Sequence, residues 1–409
     1  VSMSTLMMTL RQSVFPVREN VKGDLEWRID ALLLAITVTL LCTGWVMVSS
    51  ASIDYAWQGT GSAFYFSIRH GVYVLASLLF MATVMLVPFN TWRRFDSQFL
   101  LIAALLLLIV LVPGIGKKVN GSQRWLNLGF MTLQASELAK WASMIYFSGY
   151  FVRRIDEMHQ SWIGFFKPFA VLFVLAVLLL AEPDFGATVV ISLSALTLMF
   201  LAGAPLLRFC LLLFVVLVSA AALAATESYR LARLLAFVNP WDEKFVYGSG
   251  YQLTQSLIAI SRGEWFGVGL GNSVQKLFYL PEAHTDFVFS IWAEETGLMG
   301  SLTIVALFAA MVWRIFRIAK VAELRGDRFA SLVVTGIALL IAYQAFINMG
   351  VAAGLLPTKG LTLPFISYGG SSLIISAGMI GMVLRLSFEN VTEARIDTML
   401  SNNARSDND

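Results

Sequence analysis

The sequence predicts an all-α polytopic membrane protein of about ten transmembrane helices. Its composition, its recurring apolar runs and its single long loop are the grounds. Of 409 residues, 58% are hydrophobic and only 13% charged, whereas soluble domains are about a quarter charged. Runs long enough to cross a bilayer follow one another along the chain, which therefore reads as one membrane bundle rather than two or three soluble domains. Several function classes drop out at once. A net charge of +3, with no basic stripe beside exposed aromatics, leaves no footprint for nucleic acid. Cys42 and Cys210 lie in apolar runs, read as inert small hydrophobes, and support neither a disulfide framework nor a metal site.

Residues 1–28 read as a cytoplasmic segment carrying Arg11, Arg18, Lys22 and Arg28. They lack the short apolar core and small-residue cleavage site of a signal peptide, so the first span is the targeting signal. A hydropathy window of about 19 residues places spans at 31–50, 71–88, 98–113, 163–181, 185–204, 205–225, 287–313, 329–352 and 366–388. A weaker span, 131–151, carries Glu137 and Lys140, whose i,i+3 spacing puts them on one helix face where they can pair. Ten spans put both termini on one side, and the cations choose it. With the N-terminus inside, 18 of the 29 lysines and arginines face the cytoplasm and 11 do not. Five of those 11 lie in a long loop, which counts little toward orientation. The membrane domain is thus 29–388, followed by a polar tail, 389–409, expected to be cytoplasmic and disordered.

The loop at 226–285 is the main anomaly, because long connections without their own structure are uncommon. YRLARLLAF (229–237) and YQLTQSLIAI (251–260) each read as a short amphipathic helix within it. The loop is expected to lie on, or dip into, the outer face of the bundle.

Familiar soluble-enzyme motifs fail. GVGLGN (267–272) follows no strand and has the wrong spacing for a dinucleotide loop. No GxSxG elbow exists, and SYGGSS (367–372) does not supply one. His70, His159 and His284 are far apart in sequence, against a histidine-built zinc site.

Three constellations survive, all on the outer side of this topology. PEAHTDF (281–287) places Glu282, His284 and Asp286 at the mouth of a span. A helix cap is the plainer reading, since Thr285 or Asp286 could cap the following helix, but a cap needs one such residue and not a cluster. Glu137 and Lys140 form the second, with Arg124 upstream in GSQRWLNLG; a structural ion pair is the rival. Lys359 in LPTKGLTLPFISYGG, between Pro357 and Pro364, is the third, with a snorkelling lysine as its rival. One dominant carboxylate among cations outlines an anion-handling site, with lysine and arginine for phosphate and an aspartate to take a proton. Glycoside hydrolysis uses two carboxylates because a poor leaving oxygen must be protonated. A sugar pyrophosphate leaves as a stabilised anion, so a base and cations suffice. That chemistry suits a lipid-linked sugar at the outer membrane surface.

At these motifs the chain resembles the SEDS family (shape, elongation, division and sporulation), in its division-septum branch, from about Arg28 to Leu386. The wording is sharpest in GSGYQLTQSLIAISRGEWFGVGLGNSVQKLFYLPEAHTDF, AEETGLMG and LPTKGLTLPFISYGGSS. The resemblance implies the ten-helix SEDS fold and a peptidoglycan glycosyltransferase of the inner membrane at the division septum. It implies polymerisation of lipid II into β-1,4 glycan, with undecaprenyl pyrophosphate as leaving group. The family's essential aspartate falls on Asp286. Lys359, Arg124, Lys140, Glu137, Glu282 and His284 are the substrate-binding candidates around it. Implied partners are lipid II, an FtsI-type class B penicillin-binding transpeptidase, the divisome proteins FtsQ, FtsL and FtsB, and the bilayer itself. No cofactor follows, although a divalent cation, magnesium or manganese, stays open. Ala135 replaces a usual proline, which should alter only the helix start, and EPDFGA (182–187) replaces the more usual QPDLGT. Two other classes stay open: a transporter that flips lipid II, and a non-catalytic scaffold that recruits the transpeptidase.

Single cysteines in a chain lacking Cys42 and Cys210 check the orientation. A cysteine replacing Gly248 should react with impermeant maleimide outside intact cells, and one replacing Gly326 should not. Labelling at 326 would reverse the orientation.

Overall fold

The computed structural model describes residues 29–119, 122–127, 129, 131–226, 237–357 and 360–406. The chain runs through α1 (Ala31–Thr60), α2 (Tyr65–Met85), the short α3 (Phe89–Arg94) and α4 (Asp96–Leu111). Strands β1 (Gly116–Val119), β2 (Ser122–Asn127) and β3 (Thr132–Gln134) then lead into α5 (Ala135–Gln160), α6 (Trp162–Ala181), α7 (Phe185–Leu201) and α8 (Leu206–Thr226). Two small helices, α9 (Glu243–Val246) and α10 (Tyr251–Gly263), precede α11 (Val288–Leu324), α12 (Arg328–Ala352) and α13 (Gly370–Ser406).

Each of the ten expected spans coincides with a helix. Among the described residues, α1, α2, α6, α11, α12 and Gly370–Thr392 of α13 are long and apolar enough to cross a membrane, while α4, α7 and the start of α8 are shorter apolar helices. The remaining segment, α5, is less apolar because it carries Glu137 and Lys140. Side chains define several starts: Asp30, Asp184 and Asp327 accept from the backbone N–H three residues on, satisfying donors that the helix leaves open. Ala135 takes the first position of α5, where a proline would be pre-organised and alanine is equally accommodated. The helix start is kept.

The two central helices are α12 and α13. In each, 78% of the apolar window is buried within the protein, against 28% for α6 on the periphery. Helix α13 lies along α2, and Gly381 permits the approach: a Cβ there would stand 2.4 Å from the Met81 carbonyl oxygen. Small residues serve in this way wherever membrane helices pack backbone to backbone.

The described part of the long loop lies on one end of the bundle. YQLTQSLIAI is helical, as its pattern predicts, and α10 is pinned by Ser256, which bonds Ser290 at 2.6 Å and the Ala352 carbonyl at 2.7 Å. Residues 229–236 of the other expected helix lie outside the described residues. The loop also mends a break in α11. At Gly297 the backbone turns to φ 69°, ψ −162°, which interrupts the helical bonds. The 264–269 segment replaces them: Val268 and Gly269 donate to the carbonyls of Glu294 and Glu295, and Leu298 and Met299 donate to those of Glu264 and Trp265. Irregular backbone at the end of a membrane bundle persists where protein satisfies it in this way.

Two features depart from expectation. Strands β1, β2 and β3 form an antiparallel sheet in that order, where no strand is predicted. The tail expected to be disordered is helical to Ser406. No glycine or proline follows Gly381 to stop α13. Glu389 accepts from Arg385 at 2.6 Å, and Asn390 is tied to Arg325 and the Ile318 carbonyl, so the helix is docked past the membrane domain.

Gly297→Ala tests the break. Its Cβ would lie 2.5 Å from the Gly267 nitrogen, at a φ that costs an L-residue roughly 1–3 kcal/mol. The variant should show a lowered unfolding midpoint in detergent, and an unchanged midpoint would remove the break's structural role.

Candidate active site

The PEAHTDF segment folds as a tight turn around one oxygen. The Glu282 carbonyl accepts from the backbone N–H of Thr285, Asp286 and Phe287 at 3.1–3.2 Å. Glu282 itself sits at φ 56°, a left-handed conformation uncommon outside glycine, and its exposed carboxylate accepts from the Thr285 hydroxyl at 2.7 Å. The turn delivers Asp286 to the start of α11 without using it as a cap. The N-cap of α11 is Phe287, with no side-chain capping bond, and the plainer reading of the cluster is thereby removed.

Asp286 is half-buried, and among the described residues its carboxylate accepts no hydrogen bond. Burial pushes its pKa up to about 7; the charges of Glu282 and Asp184 add to the shift and Arg124 opposes it. Backbone contacts hold it from two sides. The Asn348 amide on α12 donates to the Asp286 carbonyl at 2.8 Å and to the Leu361 carbonyl at 2.5 Å. This clips the aspartate turn to the loop that follows Gly360. That loop is close: a Cβ on Gly360 would lie 2.9 Å from Asp286 Oδ2. Lys359 lies outside the described residues.

Glu137 and Lys140 pair as their spacing predicts, at 2.7 Å, and both are buried. Lys140 also donates to Gln344 Oε1 at 2.7 Å, and Gln344 Nε2 donates to the Thr362 carbonyl at 2.9 Å. The chain Glu137–Lys140–Gln344–Thr362 supports the post-360 loop from inside the bundle. It is a positioning device.

Arg124 comes from β2. Its Nε donates to the Glu182 carbonyl at 3.2 Å, a terminal nitrogen donates to the Pro183 carbonyl, and Asp184 lies 4.0 Å away. The arginine thus binds the α6–α7 connection and joins the charges that act on Asp286. Asp184 caps α7 and accepts from Ser136 at 2.8 Å. His284 is buried in the same turn as Asp286. Its ring is enclosed by Tyr55, Phe66 and Tyr368 at centroid distances of 5.2, 5.1 and 5.7 Å, and burial lowers its pKa. Among these rings it packs the turn.

Two residues were missed as site-builders. Glu294 and Glu295, fully buried in α11, grip the 273–276 segment. Glu294 accepts from the Val274 and Gln275 backbones and the Ser273 hydroxyl. Glu295 accepts from Lys276 Nζ at 3.0 Å and the Ser50 hydroxyl at 2.7 Å. Adjacent carboxylates inside an apolar helix are a signal in themselves, because burying them is costly unless partners wait. No group of three or more His, Cys, Asp or Glu suited to a metal ion exists among the described residues.

With this geometry in hand, residues 30–392 match the cell cycle protein family that includes FtsW, RodA and SpoVE. The chain belongs to that family. It is 51% identical over 362 residues to the "Probable peptidoglycan glycosyltransferase FtsW" of Halomonas elongata, covering 88% of this chain and 90% of that one. It is 51% identical over 371 residues to the protein of the same name from Hahella chejuensis, covering 91% and 93%. Among solved structures, a chain of a peptidoglycan synthase complex that coordinates polymerization and crosslinking superposes with a TM-score of 0.73 at 27% identity, covering 88% and 98%. RodA of Thermus thermophilus gives 0.64 at 26% identity, covering 88% and 97%. The chain is accordingly a mostly helical, multi-pass membrane protein of this family.

One family departure has a measurable consequence. Glu182, following α6, is fully buried, and among the described residues neither carboxylate oxygen has a hydrogen-bond partner. Burial first, and Asp184 second, push its pKa up to about 8. The folded state holds this proton more tightly than the unfolded chain, so stability should fall as pH rises from about 4.5 to about 8. Glu182→Gln, neutral at every pH, should flatten that slope in a series of detergent melts. Identical slopes in parent and variant would mean that Glu182 does not titrate across this range.

Proposed function

We propose that this protein is a peptidoglycan glycosyltransferase that polymerises lipid II into β-1,4 glycan at the division septum, with Asp286 as general base. The carrying observation is Asp286 itself: a half-buried carboxylate that caps nothing, accepts no hydrogen bond among the described residues, and has a pKa raised toward neutrality. A base poised near the working pH is the efficient one. Relatives named as peptidoglycan glycosyltransferases at about half identity support the reaction class.

In this reaction the 4-hydroxyl oxygen of the acceptor GlcNAc attacks C1 of the donor MurNAc. The hydroxyl proton passes to Asp286, the C1–O bond to phosphate breaks, and undecaprenyl pyrophosphate leaves as an anion with inversion. Lys359 and Arg124 supply the positive charge on which the pyrophosphate is steadied, commonly the largest catalytic contribution. Glu137 and Lys140 act at one remove, through Gln344. The active end faces the periplasm and both termini the cytoplasm. A class B transpeptidase is the working partner, within an assembly containing FtsQ, FtsL and FtsB.

Purified protein with its transpeptidase and labelled lipid II in detergent tests this. The parent should give glycan ladders, and Asp286→Asn should lose about 10²–10⁴-fold in rate at normal membrane levels. Glu282→Gln should be milder. Flipping has no meaning in detergent, so ladders also separate a polymerase from a transporter or scaffold. Polymerisation by Asp286→Asn at the parental rate would defeat the assignment of the base.

A further inference from the structure

A second site lies at the far end of α11. The helix has 37 residues and so runs roughly 50 Å from the Asp286 turn. Near its last turns a cleft of about 690 Å³ opens between α11, α13 and the start of α1. Its polar wall carries Arg314, Arg317 and Lys320, with Asp30 the single acid among the lining residues. Asp30 is committed: one carboxylate oxygen caps α1 and the other binds Arg314 Nε at 2.7 Å. That bond also fixes the arginine's orientation. Arg317 lies over the Trp313 ring at 5.1 Å. Lys320 is exposed and has no ion-pair partner among the described residues.

Val321 and Leu324, 45% and 78% exposed, continue the same helix face toward its end. Exposed Trp313 beside the cations marks the depth, because tryptophan gathers where acyl chains give way to headgroups. Cations at one end of a membrane bundle arise from orientation alone. A concave wall that fixes two guanidinium groups beside an interfacial tryptophan is a more specific arrangement, and basic pockets between membrane helices take lipid headgroups.

We propose that this cleft binds the phosphate headgroup of an anionic phospholipid, with its acyl chains running past Trp313 toward the bilayer core. The lipid would bridge α1, α11 and α13 at the end of the bundle remote from Asp286. The site stands independently of the proposed reaction.

The test uses the full chain in detergent, titrated separately with short-chain phosphatidylglycerol, short-chain phosphatidylcholine and inorganic phosphate, read by thermal unfolding and native mass spectrometry. Phosphatidylglycerol should raise the midpoint and remain bound, and the other two should do neither. The double variant Arg317→Gln, Lys320→Gln should bind phosphatidylglycerol about ten-fold more weakly or worse, with its lipid-free midpoint unchanged. If that variant fails to fold, Lys320→Gln alone, at a side chain without an ion-pair partner, should still weaken binding several-fold. Equal stabilisation by phosphatidylcholine, the same shift with inorganic phosphate, or undiminished binding in the variants would each overturn the proposal.

Discussion

The amide of Asn348 is the contact on which the candidate site depends. One buried side chain on α12, one of the two central helices, donates to the Asp286 carbonyl and the Leu361 carbonyl together. Gln344, one turn earlier, reaches Thr362 and is itself held by Lys140. The underlying constraint is that backbone polar groups at the end of a membrane bundle must find partners in protein. An unsatisfied buried group costs about 1–3 kcal/mol. The two loops forming the site cannot satisfy each other by regular ladders, so α12 does it with side chains. This leaves the Asp286 carboxylate free of structural duty while its backbone is fixed.

The carboxylates then sort by what they touch. Glu294, Glu295 and Asp184 are buried and well supplied with donors, so each locks a segment in place. Asp286 and Glu182 lack such donors among the described residues, and burial drives both toward the protonated form. They differ in access: Glu182 is sealed, whereas Asp286 is half-buried beside the post-360 loop. Only a group that can meet substrate has a use for a pKa near neutrality. The same fold thus places one side-chain type both as a strut and as an unbonded carboxylate of raised pKa.

Much of this was legible in the sequence. Apolar runs read directly as helices because each must bury an all-apolar surface in lipid or protein, and the i,i+3 spacing of Glu137 and Lys140 specified their pairing. What that pair supports was not legible, since Gln344 lies about 200 residues away in sequence. The hairpin carrying Arg124 was missed, although Asn120–Gly121 between charged and apolar runs is a turn signal of the hairpin type. A hydropathy window is longer than those strands and averages them away. His284 looked like a polar member of the cluster because sequence shows Glu282 and Asp286 beside it, and not the rings of Tyr55, Phe66 and Tyr368. The tail is helical despite its polar composition, and no glycine or proline follows Gly381 to end the helix.

The pH dependence of kcat/KM for lipid II polymerisation in detergent tests the central claim most directly, because it reports the free enzyme's essential base. With Asp286 as that base, activity should be low at pH 5 and rise through a single limb centred near 7, where burial places its pKa. A limb near 4, or a rate that stays level from pH 5 to 8, would contradict the account.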